Sequence, residues 1–373
     1  MQMMSSLAAN VGVVLPPKAN RKSGVSFTLT CTPLLGETFS ALGHRLAAQL
    51  RERAATPLHF LVFGNRDAAA AGMEILAEIF GCLDFPVTWV EGADCSGKPV
   101  ASIQLYAFTG EVERLEWQGR VVGSVFYEGG ARQCVVGGLM HSEKTLPAAE
   151  QTRQTLATLQ AVLAQAGFEL ADTVRTWFFL ENILQWYDDF NRARAQIYSG
   201  VKFRTGSLPA STGVGAKNPA GSALALAAWA FQPLAASASA EEIASPLQCP
   251  APAYGSSFSR AMEISSERRR RLFISGTASI APGGKTLWLG DVRRQMELSM
   301  EVVEAILQSR GFAFADLTRA TAYFRDAADA GIFSEWLTTN GLQKMPLVYA
   351  QCDICRNDLL FELEAEAEIM GGY

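Results

Sequence analysis

A chain of 373 residues with 49% apolar and 18% charged residues has the make-up of an ordered globular protein, long enough for two or three domain-sized units. A net charge of -5 argues against a nucleic-acid partner, which would select a basic face. No apolar run is long enough to cross a bilayer, so no membrane partner is expected; the most apolar stretch, 223–231, stops at Gln232 and Pro233.

Met1 to Pro17 carry no Lys or Arg ahead of their apolar stretch, so no secretory signal is expected there, and the segment reads as a partly ordered N-terminus. The seven cysteines, odd in number and scattered, then read as free thiols of a reducing cytoplasm. Strands are predicted over 26–31 and 58–65 with a helix over 37–53 between them, then a helix over 67–80 and strands over 87–91 and 101–108. A hairpin over 124–139 follows. Next comes an amphipathic helix opened by Gln151, with Leu156, Leu159 and Leu163 as its buried stripe and Gly167 as a left-handed cap. Strand 175–180, a helix over 184–198, a loop at Pro209 and strand 224–231 complete this unit. Residues 233–252, rich in Ala, Ser and Pro, read as a linker.

Beyond the linker the same order returns. A hairpin over 258–280 leads to a helix opened by Gln295, with Met300, Val303 and Leu307 buried and Gly311 capping it. Strand 319–324, helix 327–339, Pro346 and strand 359–367 follow. The repeat offset is 144, since 311 − 167, 316 − 172 and 319 − 175 all give it, pairing Gly167, Asp172 and Arg175 with Gly311, Asp316 and Arg319. Each unit is β-β-α-β-α-β-β, an α+β arrangement with both helices on one face of a mixed sheet. The N-terminal third reads as a degenerate third copy, with Asn65 and Asn182 closing corresponding strands. The predicted layout is a degenerate unit over 1–115, a second over 116–235, a linker over 236–252 and a third over 253–373. Three units in one chain predict a monomer with an internal pseudo-threefold arrangement.

The repeat also exposes an asymmetry. Glu362 lies sixteen residues after Pro346, and Ala225 lies sixteen after Pro209. Strand 361–367 alternates Glu362, Glu364 and Glu366 with Phe361, Leu363 and Ala365, so all three carboxylates share one face. For Glu366 a solvated face is the expected reading. The run 268–271, four arginines, reads as the solvated tip of a hairpin. Cys352 and Cys355 form a C-x-x-C, but in a strand-like stretch their side chains oppose each other, and the three histidines have no metal-type spacing. No metal and no cofactor are expected; the glycines of 213–221 lack the Lys-Ser/Thr ending of a phosphate loop.

The unit resembles the Rid/YjgF superfamily, and the whole chain is more specifically similar to the chorismatases. The motifs that carry the resemblance are Leu208-Pro-Ala-Ser-Thr-Gly-Val-Gly215, Phe258-Ser-Arg-Ala261, Ile274-Ser-Gly-Thr-Ala-Ser-Ile280 with Gly290-Asp291 after it, and Cys355-Arg-Asn-Asp-Leu-Leu-Phe-Glu362. The resemblance implies a ligand cleft between units, chorismate as small-molecule substrate, and Glu362 as the catalytic acid. Chorismate carries an enol ether, and a carboxyl that stays protonated near neutral pH could protonate its methylene carbon. For the dianionic substrate, Arg260, Arg356 and Arg204 are candidate cations, beside Phe258. Ser211 and Thr212 stand where deaminases of the superfamily keep a carboxylate-binding arginine, and Val348 replaces it in the last copy, which disfavours imine deamination. Ser275, Gly276 and Thr277 are expected to present backbone N–H groups to the cleft. Cys355 resembles the branch that forms 3-hydroxybenzoate and pyruvate; a small residue there would imply the hydrated diol, and a dual 3- and 4-hydroxybenzoate product remains open. To share the cleft with Glu362, seven residues on, Cys355 requires a bulge or bend around residues 356–358.

Overall fold

The computed structural model describes residues 24–92 and 100–370; Met1 to Pro17 lie outside them. The first unit runs β1 (Ser26–Cys31), α1 (Phe39–Glu52), β2 (Thr56–Gly64), α2 (Ala69–Phe80), β3 (Val87–Val90) and β4 (Val100–Phe108). The second runs β5 (Glu113–Trp117), β6 (Arg120–Glu128), β7 (Ala131–Met140), α3 (Ala148–Gln165), β8 (Thr173–Leu180), α4 (Ile183–Tyr198), β9 (Ala210–Val214) and β10 (Leu224–Pro233). The third runs β11 (Ser239–Ile243), β12 (Ala261–Ser266), β13 (Arg269–Ala278), α5 (Val292–Ser309), β14 (Leu317–Phe324), α6 (Ala330–Thr339), β15 (Leu347–Gln351) and β16 (Phe361–Met370).

Three mixed sheets result, ordered β1-β4-β2-β3, β5-β6-β7-β10-β8-β9 and β11-β12-β13-β16-β14-β15. The first sheet repeats the last four strands of the others, including the parallel pair at its end. Each larger sheet has one more edge strand than predicted. Residues 236–252 are therefore not simply a linker: β11 lies inside them and pairs antiparallel with β12. Its sequence, Ser-Ala-Glu-Glu-Ile, is that of an exposed edge strand, where polar residues blunt further pairing.

The landmarks of the repeat have visible duties. Gly167 and Gly311 adopt φ of 68° and 74° behind α3 and α5, a conformation that favours glycine. Asp172 and Asp316 each accept a bond from the backbone N–H three residues back, at 2.7 and 2.8 Å, fixing the turn into the next strand. Gln151 accepts from Ala223 N at 2.9 Å and Gln295 from Leu360 N at 2.8 Å, so each pins the entry of its unit's last strand.

Each sheet packs its helices on one face, burying Leu156, Leu159 and Leu163 in the second unit and Met300, Val303 and Leu307 in the third. The opposite faces of all three sheets meet in a shared core around Trp229, which packs edge-on to Tyr106 at 4.9 Å and tilted against Phe273 at 5.4 Å. The sheets align by register. His59 faces Tyr106 as Arg175 faces Trp229 and Arg319 faces Glu366. Two residues on, Gln104, Ala227 and Glu364 correspond; two further, Ser102, Ala225 and Glu362 do.

Candidate active site

β16 is flanked by β13 and β14, and its even-numbered side chains point to the shared core while Phe361, Leu363 and Ala365 pack toward the helices. The expected solvated position of Glu366 is therefore overturned: Glu364 and Glu366 are both fully buried. The reason is the inward packing of three sheets, which places cations opposite them. Arg319 on β14 bonds Glu364 at 2.8 Å and Glu366 at 2.9 Å, and Arg175 on β8 bonds Glu364 at 2.8 Å. Tyr106 of the first sheet also donates to Glu366. Burial pushes the Glu364 carboxyl up, but Arg319 and Arg175 outweigh it and hold the group below the usual carboxylate range. The arginine run is corrected in the same way. Only Glu267 and Arg268 form the exposed turn; Arg270 pairs with Glu263 at 2.7 Å, and buried Arg271 pairs with Glu368 and stacks over Trp229 at 4.8 Å.

Glu362, two residues before Glu364, meets a different environment. It is 4% exposed and lines a narrow cavity of about 40 Å³ between β9 and α4 of the second unit and β13 and β16 of the third. That cavity opens past Tyr187, Tyr254 and Arg356 into a cleft of about 750 Å³. Burial, and next the charge of Glu364, push the Glu362 carboxyl up to about 8, against the opposing pull of Arg175 and Arg260. It therefore stays protonated at neutral pH.

Cys355 shares the cavity. β16 starts only at Phe361, and the bulge or bend expected around 356–358 is a bend and turn over 355–358, held by Gln295 through the Asp358 carbonyl at 2.8 Å. Burial, then the Glu362 charge, raise the Cys355 thiol to about 12, with Tyr187 and Arg356 pulling the other way. It is a neutral thiol rather than a nucleophile. Cys352 points instead into the shared core. Among the described residues no three His, Cys, Asp or Glu side chains gather as a metal site.

The cations divide. Arg260 lies over the rings of Tyr254 and Phe258 at 5.4 and 5.5 Å, with its Nε and Nη2 donating to Cys249 O. Arg356 spans the mouth, over Tyr254 and bonded to Gly284 O at 2.6 Å. Arg204 is not brought to the cavity: it is exposed and pairs with Glu169 and Asp172 at 3.0 and 3.1 Å. Phe258 and Ser211 line the cavity. Thr212, Ser275 and Thr277 hold the seam between the units. Ser211 N donates to Ser275 Oγ at 2.8 Å, Ser275 Oγ to Ser259 O at 2.6 Å, and Thr277 Oγ1 to Ser275 O at 2.8 Å. The expected free backbone donors at Ser275 and Gly276 are occupied, by Arg260 O at 3.0 Å and Thr212 Oγ1 at 3.1 Å. A bulge between Ile274 and Thr277 turns the α-carbon of Gly276 onto Glu362, where a methyl group would lie 2.0 Å from Oε1.

Among the lining residues that the sequence reading did not single out are Arg194 and Tyr187. Buried Arg194 on α4 has no carboxylate partner among the described residues; it donates to Asn191 Oδ1 at 2.8 Å and reaches Ser211 Oγ at 3.4 Å. Tyr187, one heptad earlier on the same helix, carries a phenol pushed up mainly by burial. Their seven-residue spacing puts both on one face, a signal that was present in the sequence.

Residues 135–224 and 250–369 match the family model described as Endoribonuclease L-PSP. The chain belongs to that family. A 3-hydroxybenzoate synthase of Streptomyces hygroscopicus is 28% identical over 243 residues, 58% of this chain and 68% of that protein. A chorismatase of Streptomyces rapamycinicus is 28% identical over 215 residues, covering 51% of this chain and 62% of its own length. A RutC family protein of Pyrococcus horikoshii is 30% identical over 97 residues, 26% of this chain and 77% of that one. The crystal structure of a chorismatase superposes with a TM-score of 0.64 at 20% identity, over 94% of this chain and all of the other. That likeness shows a shared fold.

Proposed function

We propose that this protein converts chorismate to 3-hydroxybenzoate and pyruvate, with Glu362 as acid and then base. The observation that carries this reading is a protonated, buried carboxyl facing a cleft that also holds Arg194, Arg260 and Arg356. In the proposed sequence Glu362 protonates the methylene carbon of the enolpyruvyl group, giving an oxocarbenium ion. The ring C–O bond breaks and pyruvate leaves, while the neighbouring ring hydroxyl closes on the vacated carbon and returns its proton to Glu362. The resulting arene oxide opens to the phenol. Hydroxybenzoate and pyruvate together equal chorismate, so no water is consumed. The arginines would hold the two substrate carboxylates as charge-assisted bonds in a site largely shielded from water. Cys355, a neutral thiol at the cavity wall, would keep water from the reacting carbon.

The deciding experiment is incubation with chorismate, without cofactor, followed by chromatography and a pyruvate assay. Stoichiometric pyruvate and 3-hydroxybenzoate are expected; absence of pyruvate overturns the proposal. Pyruvate with the cyclohexadiene diol would keep the acid and discard the role of the thiol. Cys355→Ala is expected to raise the diol fraction by letting water compete with the ring hydroxyl, and an unchanged product ratio would remove Cys355 from the mechanism. The pH dependence has a definite sign. Glu362 acts in its protonated form, so kcat is level below its pKa and falls about tenfold per unit above pH 8. A carboxyl at its ordinary value of 4.5 would already be losing activity near pH 5.

A further inference from the structure

Resting on the reading of Glu362 as the acid, we propose that Glu364 is its positioning residue, acting through Arg175, Thr212 and the backbone of Gly276. Among the described residues the Glu362 carboxyl receives no hydrogen bond, so something other than a direct donor must hold it. The wall against it is Gly276, whose α-carbon faces Oε1 with no room for a methyl group. Gly276 sits on the bulge where the ladder between β13 and β16 is interrupted, so that its N–H turns outward and donates to Thr212 Oγ1 at 3.1 Å. Thr212 Oγ1 is gripped in turn by Arg175 Nη2 at 2.6 Å, and that same nitrogen bonds Glu364 Oε2 at 2.8 Å. The other oxygen of Glu364 is engaged by Arg319, Thr321 and Tyr323 at 2.8, 3.2 and 3.1 Å, so the carboxylate cannot rotate away.

A comparison inside the molecule separates this anchor from ordinary scaffolding. Where the first unit meets the second, Gly138 N donates to Thr88 Oγ1 at 2.7 Å, the counterpart of the bond between Gly276 and Thr212. There Thr88 is met by His59 Nε2 at 2.8 Å, in the register position of Arg175. Ala225 and Ala227 stand in the positions of Glu362 and Glu364. The threonine-to-glycine bond recurs without an acid and is therefore structural. The arginine and carboxylate that tighten it occur in the cleft that has the acid.

Glu364→Gln removes a charge two residues from Glu362 and loosens Arg175. The expected result is a fall of about 10- to 100-fold in kcat, the scale of a misplaced reacting group, with KM changed less than about twofold. The alkaline limb of the pH profile is expected to move down by about one unit, because a like charge that favoured the protonated acid is gone. The same shift should appear without substrate, in an infrared titration of the Glu362 carbonyl assigned by difference against Glu362→Gln. Thr212→Val breaks the chain without altering charge and should lower kcat and shift that carbonyl band, and Thr212→Ser should recover most of kcat. The proposal is overturned if both Glu364→Gln and Thr212→Val fold yet leave the Glu362 titration and kcat within twofold of the parent. It is also overturned if they only lower the unfolding midpoint. Should Glu364→Gln fail to fold, Thr212→Val decides. If the infrared titration moves but the parent protein leaves chorismate untouched, the functional reading fails and the positioning role stands.

Discussion

Replacing Glu362 by Gln is expected to lower kcat on chorismate by about 10²- to 10⁴-fold, the range for loss of a general acid, with a smaller change in KM. Gln keeps the shape of the side chain and the contact with Gly276 but cannot deliver a proton to carbon. Rapid-quench or steady-state assays on the purified variant give the number, and activity within tenfold of the parent would sink the assignment. A second readout separates chemistry from folding damage. Glu362 is buried, receives no hydrogen bond among the described residues, and lies beside the ionised Glu364, so its ionised form is poorly accommodated. The variant is therefore expected to unfold at an equal or higher temperature than the parent at pH 9, where the parent carries that charge. Lost activity together with lower stability would point to a disturbed fold instead.

Arg319→Met is expected to be the most damaging of the substitutions considered, costing roughly 3–5 kcal/mol of stability. Arg319 is 2% exposed and joins Glu364, Glu366 and, through its Nε at 2.9 Å, Gln104 of the first sheet. Methionine fills much of the volume but, among the described residues, leaves Glu366 with the Tyr106 hydroxyl and no bonded cation, and Glu364 with Arg175 and the hydroxyls of Thr321 and Tyr323. Buried carboxylates stripped of a cation are far more costly than exposed ones. Urea unfolding followed by tryptophan fluorescence reports the shift. An unchanged midpoint would mean that the network contributes little and that the carboxylates are protonated in the folded state.

The sequence made the architecture legible where periodicity and repetition spoke together. Ser26–Cys31 coincides with its predicted strand, and the 144-residue offset joined Arg175 to Arg319 before any contact was known. What it hid were interactions whose partners lie far along the chain. Glu366 meets Tyr106 across 260 residues, and no local pattern distinguishes such a carboxylate from a solvated one. Arg271 looked like part of a charged turn because the three residues before it, Arg268, Arg269 and Arg270, are also arginines. Its burial depends on Trp229 of another sheet. β5 and β11 escaped because edge strands are polar, which is also the character of a loop. In the candidate site Glu362 and Cys355 came from motifs, whereas the spacing of Tyr187 and Arg194 gives only a shared helix face, and that this face lines the cavity follows once α4 is laid against β9.

One chain holding three sheets can do what three identical chains cannot. In an assembly of identical subunits each side chain near the axis appears three times, so a single Glu364 and Glu366 would become six carboxylates crowded about one line. Here the three equivalent positions are filled by Glu364, Ala227 and Gln104, and by Glu366, Trp229 and Tyr106. The charge is concentrated on one side and balanced there by Arg175 and Arg319. Joining the copies end to end thus frees each from mirroring the others. One interface can keep an electrically costly acid while its siblings, with Ala225 and Ser102 in that register, specialise as mortar.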